Sequence, residues 1–245
     1  MNVMTFDFTG RSVIVTGAAR GIGQALAAGF AAANASVWMV DVDEDVLRTE
    51  AARVGAHAAP ADVSDSAHVE RVVEEVLAST GRVDVLVNNA GLLRDAMLWK
   101  LTDDDWDTVL RVHLGGTFRF TRSCVPHFRA QGMGRVINVT SYSGLHGNVG
   151  QSAYATAKAG IVGFTKTAAK ELARFGTTVN AISPNAQTRM IESIPTEVLS
   201  ELSALIPLGR FADPAEMWPA VGFLASDEAA YVTGIVLPVD GGIAM

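Results

Sequence analysis

The sequence is short of cysteine, of positive charge and of long apolar runs. Its single cysteine, Cys124, excludes an internal disulfide and suits a reducing compartment, so we expect a cytoplasmic protein. Lysine and arginine total 19 against 26 aspartates and glutamates, and the net charge of −7 argues against nucleic acid as the main partner. No apolar run reaches the roughly 18–20 residues of a membrane span. Residues 1–8 lack the basic and apolar stretches of a signal peptide.

Metal ligands and domain linkers are also missing from the sequence. The five histidines show no close metal-ligand spacing and Cys124 has no neighbouring cysteine, so we expect no metal site. No segment rich in proline or serine divides the 245 residues, and no internal repeat occurs. With 49% hydrophobic residues, the chain has enough apolar side chains for a substantial core. We therefore expect one domain over residues 1–245.

The sequence does contain a regular alternation of short apolar runs and longer helical patterns. Several runs are almost wholly apolar, which is typical of strands covered on both faces. The alternation predicts a three-layer α/β/α Rossmann fold, a doubly wound parallel sheet of about seven strands. The predicted strands are Ser12–Thr16, Ser36–Asp41, His57–Ala61, Val83–Asn88, Gly134–Thr140, Thr178–Ser183 and Gly234–Val239. The predicted helices are Gly21–Ala33, Glu44–Val54, Ala67–Ser79, Asp103–Ala130, Ala153–Arg174 and Pro214–Ala225.

The connection over residues 185–210 departs from this alternation. It contains Pro195, Pro207 and scattered polar residues, and it is long for a connection inside a compact domain. Because it follows a strand end on the side of the sheet where ligands bind, we expect a substrate-binding lid. A helical insertion that only packs on the surface is the alternative.

A glycine-rich turn follows the first predicted strand. Gly17, Gly21 and Gly23 occur there, together with Arg20 and Ile22. The glycines permit a tight turn and a close approach of the backbone to a pyrophosphate, and the helix N-terminus behind them supplies N–H groups and a positive dipole end. Turns use glycine for other reasons too, but the position between a strand and a helix predicts a dinucleotide site.

An acidic residue, Asp41, ends the second predicted strand eighteen positions after Gly23. A carboxylate there accepts hydrogen bonds from both ribose hydroxyls of an adenosine and repels a 2′-phosphate, so we expect NAD(H). Arg20 complicates this expectation, because a guanidinium in the turn could pair with a 2′-phosphate. NADP(H) therefore stays open, as does a role for Arg20 as a solvated loop residue.

Tyr154 and Lys158 are four residues apart, and Ser141 lies thirteen residues before the tyrosine. Four residues make about one helical turn, so the phenol and the ammonium project from the same helix face. A nearby cation favours the phenolate, and a serine hydroxyl could hold a substrate oxygen. The three residues predict proton exchange with an alcohol or a carbonyl. The alternative is a buried tyrosine beside a lysine on a solvated face.

Several motifs, in this order and spacing, resemble the short-chain dehydrogenase/reductase family. The resemblance implies that Tyr154 is the general acid/base, that Ser141 orients the substrate oxygen, and that Lys158 binds the nicotinamide ribose and lowers the tyrosine pKa. It covers the chain from about Ser12 to the C-terminus. The motifs are the glycine turn, Asp41, Asn88-Asn89-Ala90-Gly91, Ser141…Tyr154…Lys158, Pro207-Leu208-Gly209-Arg210, Tyr231-Val232-Thr233-Gly234 and Val239-Asp240-Gly241-Gly242.

The resemblance implies further cofactor contacts. Asn89, Ala90 and Gly91 would line the cofactor at the end of the fourth strand, and Asp62 and Val63 would flank the adenine. Each position also has a structural interpretation: Asp62 could cap the helix that begins near residue 64, and Asn89 could stabilise a turn.

Two segments differ from many members of the family. His113 stands where many relatives have an asparagine that helps to hold a water in a proton relay, so we regard it as a supporting candidate. Pro184 and Asn185 replace a Pro-Gly pair, and asparagine tolerates positive φ better than most residues. These two residues, with Thr188 as a partner for the carboxamide or a phosphate, complete the predicted cofactor site.

The substrate prediction also rests on resemblance. The chain resembles 3-oxoacyl-[acyl-carrier-protein] reductases, which usually use NADPH, and the (3R)-hydroxyacyl-CoA dehydrogenase domain of multifunctional β-oxidation enzymes. We therefore expect the interconversion of 3-hydroxyacyl and 3-oxoacyl thioesters. A sugar alcohol, a steroid or another secondary alcohol is the alternative substrate, and a non-catalytic nucleotide-binding protein is a further alternative. The long predicted helices Asp103–Ala130 and Ala153–Arg174 resemble those that pair two subunits in this family. The apolar C-terminal segment Val236–Met245 would form a second interface, so the resemblance implies a homotetramer.

Overall fold

The computed structural model describes residues 5–187 and 201–245, and its centre is a sheet of seven parallel strands. The spatial order β3-β2-β1-β4-β5-β6-β7 confirms the predicted doubly wound α/β fold. The strands are β1 (Ser12–Thr16), β2 (Ser36–Asp41), β3 (His57–Pro60), β4 (Val85–Asn88), β5 (Gly134–Val139), β6 (Thr177–Pro184) and β7 (Val236–Val239).

Helices alternate with these strands and cover both faces of the sheet. Short 3₁₀ segments occur at Leu98–Lys100, Ala173–Phe175, Pro214–Met217 and Asp227–Ala229. The α-helices whose bounds are described are α1 (Gly21–Ala32), α2 (Glu44–Val54), α3 (Ser66–Thr80), α4 (Asp103–Gln131), α5 (Tyr142–His146), α6 (Ser152–Leu172) and α7 (Trp218–Ala225).

The core is divided into two main layers by the sheet. In β1, Val13 and Val15 pack with Phe30 of α1 in one layer, whereas Ile14 packs with Phe120 of α4 in the other. All five side chains are fully buried. Strands that bury both faces in this way read as continuous apolar runs, which is why the strand positions could be predicted.

The largest differences from the predicted elements are local. β4 begins at Val85, because the backbone of Val83 is hydrogen-bonded to the side chain of Gln131 instead of to a neighbouring strand. The Val83 N–H donates to the Gln131 side-chain oxygen at 3.1 Å, and the Gln131 side-chain N–H₂ donates to the Val83 carbonyl at 2.7 Å. β7 begins at Val236, since Gly234 has a φ of +78° and lies in the preceding turn. The short helix α5 was missing from the predicted elements, because five residues are too few to show helical periodicity.

The order of the strands determines where a ligand can bind. β1 lies between β2 and β4, so the connections after β1 and after β4 run to opposite sides of the sheet. In open parallel sheets, the crevice at the carboxyl ends of such strands is the usual ligand site. The glycine turn follows β1, and the segment of Asn89 follows β4.

The predicted lid over residues 185–210 is only partly within the described structure, since residues 188–200 lie outside it. The described ends of this segment pack on the sheet: Ala186 forms a bridge with Ala212, and Leu208 donates its N–H to Gly241. A role for the segment as a lid stays a prediction, as does the cofactor role of Thr188.

Candidate active site

The glycine turn is held against the end of β4 by Thr16 and Asn89. The Thr16 hydroxyl accepts hydrogen bonds from the N–H groups of Asn89 and Ala90, at 3.0 and 3.1 Å. The Asn89 amide donates to the carbonyls of Thr16 and Gly17, both at 3.0 Å. A side chain at Gly17 would lie 2.7 Å from the Cα of Ala90, so the two turns can approach only with glycine here. Asn89 therefore stabilises the turn, as its structural interpretation predicted.

The N-terminus of α1 is open to an anion. Arg20 occupies the N-cap position without a side-chain cap, and the first turn, which contains Gly21, Ile22 and Gly23, has no acidic residue. A side chain at Gly23 would collide with the Gly17 carbonyl and the Asn89 amide. Exposed N–H groups at a positive dipole end are the features that bind a phosphate.

Asp41 connects this turn to the turn after β2. Its two carboxylate oxygens accept from the N–H groups of Ala19 and Asp43, both at 3.1 Å. The side chain of Arg20 forms an ion pair with Asp43, with 2.6 Å between the two atoms. The guanidinium is therefore paired with a carboxylate of the chain while it stays partly exposed to solvent, and a contact with a 2′-phosphate stays a prediction.

Asp62 and Val63 follow β3 at the same edge of the sheet. The Asp62 carboxylate accepts from the N–H of Ser64 at 2.8 Å, and Asp65, rather than Asp62, caps α3. Val63 is buried against Gly116 of α4, where any side chain would press on it. Both residues have a structural role, and the adenine contact stays a prediction.

The three predicted catalytic residues lie together at the carboxyl end of β5. Ser141 is the N-cap of α5, where its hydroxyl accepts from the N–H of Ser143 at 3.2 Å, and it lies close enough to Tyr154 to lower the pKa of that phenol. Lys158 is buried on α6, and its ammonium lies 5.6 Å from the centre of the Tyr154 ring. That ammonium donates to the carbonyl of Val139 at 2.7 Å. This side chain is not on a solvated face, which removes the alternative interpretation of the lysine.

Gly144 is a residue of this site that was missed from the sequence. A side chain at Gly144 would lie 2.6 Å from the Cβ of Lys158, so glycine lets α5 pack directly on α6. This contact brings the N-cap serine to the tyrosine. The neighbouring Gln151 donates to the carboxylate of Asp95 at 2.8 Å and joins the segment after β4 to the site.

Burial controls the pKa values of the two titratable catalytic groups. It raises the pKa of Tyr154 above its usual value, while the hydrogen bond of Ser141 lowers it and the charge of Asp95 raises it. Burial also lowers the pKa of Lys158 to about 7. The phenol is thus protonated at neutral pH, because the cost of burying a phenolate exceeds the stabilisation from Ser141. The expected lowering of this pKa by Lys158 stays a prediction.

His113 is buried behind Tyr154 on α4. Its Nε2 atom lies 2.7 Å from the carbonyl oxygen and 3.0 Å from the amide nitrogen of Leu92. The imidazole meets the Tyr154 ring edge-on, with 5.2 Å between the ring centres. A side chain at Gly91 would collide with the imidazole, so Gly91 makes room for it. Burial and the charge of Lys158 lower the pKa of His113 to about 3, so the ring is neutral.

The sequence is similar to proteins of a known family. A family model described as enoyl-(acyl carrier protein) reductase matches residues 17–244. The 3-oxoacyl-[acyl-carrier-protein] reductase FabG of Thermotoga maritima is 43% identical over 240 residues, which cover 96% of this chain and 98% of that protein. The chain belongs to the short-chain dehydrogenase/reductase family. The resemblance stated from the motifs is confirmed.

Other members of the family are similar over almost the whole chain. FabG of Salmonella typhimurium is 39% identical over 242 residues, with 98% of this chain and 99% of that protein covered. The crystal structure of a levodione reductase has a TM-score of 0.93 at 35% identity, covering 97% of this chain and 98% of that one. The protein is accordingly an oxidoreductase that acts on CH–OH groups with a nicotinamide cofactor.

The dehydrogenase has the groups that such a cofactor needs. The uncapped N-terminus of α1 fits the pyrophosphate. At the end of β6, next to Pro184, the side-chain N–H₂ of Asn185 is buried without a hydrogen-bond partner in the described structure. An unpaired buried donor is costly, and it fits the carbonyl of a carboxamide. The predicted cofactor site at Pro184 and Asn185 therefore contains a hydrogen-bond donor that is available for a carboxamide.

Within residues 5–187 and 201–245, no group of three or more histidine, cysteine, aspartate and glutamate side chains could hold a metal ion. No helix in that part of the chain combines the length and the apolar character needed to cross a bilayer.

Proposed function

We propose that the enzyme interconverts 3-hydroxyacyl and 3-oxoacyl thioesters and prefers NAD(H) as its cofactor. The observation that carries the proposal is the convergence of Ser141, Tyr154 and Lys158, at the same edge of the parallel sheet as the glycine turn. The substrate class comes from the relatives, since FabG of Thermotoga maritima and of Salmonella typhimurium are 3-oxoacyl-[acyl-carrier-protein] reductases.

Tyr154 acts as the general acid in the reduction of the 3-oxo group. Burial keeps its phenol protonated at neutral pH, which is the form that donates a proton to the developing alkoxide. Ser141 holds the substrate oxygen by a hydrogen bond. The bound nicotinamide supplies or accepts the hydride. In the oxidative direction Tyr154 takes the hydroxyl proton, and the interaction with Ser141 favours the phenolate. Lys158, whose amino group lies 5.6 Å from the ring centre, would favour the phenolate further in its protonated form.

The preference for NAD(H) rests on Asp41. Its half-exposed carboxylate lies at the end of β2, where it can accept from ribose hydroxyls and repels a 2′-phosphate. Gly17, Gly21, Ile22 and Gly23 would bind the pyrophosphate. Asp62, Val63, Asn89, Ala90, Gly91, Pro184, Asn185 and Thr188 complete the proposed cofactor set.

We further propose a cytoplasmic homotetramer with an acyl-thioester substrate and neither a nucleic-acid nor a membrane partner. The net charge of −7 supports the last point. The edge strand β7 supports the assembly, because its outer backbone groups have no neighbouring strand within the described sheet. The 29 residues of α4 and the 21 residues of α6 are the helices proposed to pair.

Another secondary alcohol is the second candidate substrate. The observation in its favour is the levodione reductase, which matches the whole fold at a TM-score of 0.93. A sugar alcohol or a steroid belongs to the same alternative. A non-catalytic nucleotide-binding protein is less well supported, since it would not need Tyr154 and Lys158 to converge.

The decisive experiment is a spectrophotometric assay of NADH oxidation with acetoacetyl-CoA, repeated with NADPH. We expect turnover with both cofactors and a higher kcat/KM with NADH. A higher kcat/KM with NADPH would contradict the cofactor preference alone. Turnover with neither cofactor, in a preparation that reduces a cyclic ketone, would replace the thioester by the alternative substrate.

A further inference from the structure

Arg20 and Asp43 form an ion pair between the glycine turn and the turn after β2. The nitrogen and oxygen are 2.6 Å apart, and both side chains are 38% exposed. Arg20 stands between the glycines of the turn, and Asp43 stands two residues after Asp41. We propose that Asp43 determines cofactor choice by holding the Arg20 guanidinium away from the 2′-position. The inference rests on the proposed nicotinamide site.

The ion pair belongs to a set of contacts that links the two turns. The Asp41 carboxylate accepts from Ala19 on one side and from the N–H of Asp43 on the other. The Asp43 carboxylate binds Arg20 with one oxygen and caps α2 with the other, accepting from Val46 at 3.4 Å. Ala19 and Arg20 are adjacent in the chain, so the set joins the glycine turn to the turn after β2. The cap fixes the position of the Asp43 side chain and thereby stabilises its ion pair with Arg20.

The charges of this set explain the effect on the cofactor. It contains two carboxylates and one guanidinium, and the guanidinium is matched with Asp43 rather than with a ligand. A 2′-phosphate adds up to about two negative charges, so it would be repelled by Asp41 while Arg20 is paired with Asp43. The 2′-hydroxyl of NAD(H) adds no charge and needs only an acceptor. By pairing with Arg20, Asp43 therefore occupies the guanidinium that could otherwise bind the 2′-phosphate of NADP(H).

The side chain of Arg20 has room to turn once Asp43 releases it. Arg20 and Gly21 line an open groove between α1, α2 and the segment that precedes α7. A released guanidinium can bind a phosphate through two parallel hydrogen bonds. Arg20 is thus an unused phosphate ligand, and Asp43 is the positioning residue that keeps it unused.

The test is the Asp43→Asn variant, because asparagine keeps the size and the helix cap and removes the charge. Dissociation constants for NADPH and NADH are measured by isothermal titration calorimetry without substrate. We expect NADPH to bind about tenfold more tightly than to the wild-type enzyme, through a new charge-assisted hydrogen bond, and NADH to bind within about twofold. The gain must disappear in the double variant Arg20→Ala/Asp43→Asn.

Two results would overturn the inference. One is an unchanged NADPH dissociation constant in Asp43→Asn; the other is an equal gain in the double variant, which would make charge removal alone responsible. The single variant Arg20→Ala provides a second arm. It should change NADPH binding by less than about twofold, because Arg20 is engaged elsewhere, and a large loss would show that it already binds the phosphate. A wild-type preference for NADPH together with an Arg20-dependent gain in Asp43→Asn would refute only the proposed NAD(H) preference.

Discussion

At the scale of the residue, burial favours the neutral forms of the titratable groups in the active site. His113 is only 2% exposed, and its Nδ1 atom has no hydrogen-bond partner within the described structure. Protonation would place a second cation near Lys158 in a region of low polarity. The imidazole therefore stays neutral and supports the Tyr154 ring from behind, and its direct participation in proton transfer stays a prediction.

The buried imidazole predicts a dependence of stability on pH. The folded-state pKa is about 3, below the ordinary 6.5, so only the unfolded chain takes up this proton between those values. The contribution to stability is complete above pH 6.5 and is lost as the pH falls towards 3. Between pH 6.5 and 4.5, urea unfolding of the wild-type enzyme should lose about 2 kcal/mol more than that of His113→Asn.

The comparison needs a matched control, because carboxylates titrate in the same range. His57 is exposed at the start of β3, so His57→Asn serves as the control for replacing a histidine outside the core. Parallel stability curves for the wild-type enzyme and His113→Asn would show that His113 is not buried in its neutral form.

At the scale of the element, the site depends on how two strand ends are joined. β1 and β4 are neighbours in the sheet, but their following turns are fixed by side chains, with Thr16 at the centre. Thr16 is 2% exposed, so its partners cannot turn to water for replacement hydrogen bonds. The geometry of the glycine turn should therefore depend strongly on this hydroxyl, together with the Asn89 amide.

The variant Thr16→Val tests this dependence, because valine keeps the shape and removes the acceptor. It leaves the N–H groups of Asn89 and Ala90 without their partner, and we expect a loss of about 2–4 kcal/mol in the free energy of unfolding. NADH binding should weaken as well. Thr16→Ser keeps the hydroxyl and should lose less than half as much; equal losses in the two variants would point to packing instead.

Elements were predicted from the sequence to different degrees. β1 and β2 were correct at both ends, because buried parallel strands are continuous apolar runs. α5 was missed, although it carries Ser141 at its N-cap and determines where that hydroxyl lies. Five residues have no measurable period, and the close packing of Gly144 on Lys158 depends on a contact between two helices that spacing alone does not reveal.

At the scale of the whole molecule, the fold brings together residues that are far apart in the chain. The glycine turn, Asn89 and Ser141 follow three different strands, and the order of the parallel strands brings them to one edge of the sheet, where Tyr154 is placed by α6. The composition of this edge was predictable from ordered motifs. The ion pair of Arg20 with Asp43 and the balance of pKa values at Tyr154 were not, because both depend on three-dimensional proximity and burial.

The central claim is that Tyr154 exchanges a proton with the substrate at a site that binds the cofactor independently of its hydroxyl. The most direct measurement compares Tyr154→Phe with the wild-type enzyme, using calorimetric NADH binding and turnover of acetoacetyl-CoA. Phenylalanine keeps the ring that packs against His113 and removes only the hydroxyl. We expect NADH to bind within about twofold of wild type and kcat to fall by about 10²–10⁴. Turnover equal to that of the wild-type enzyme would contradict the account.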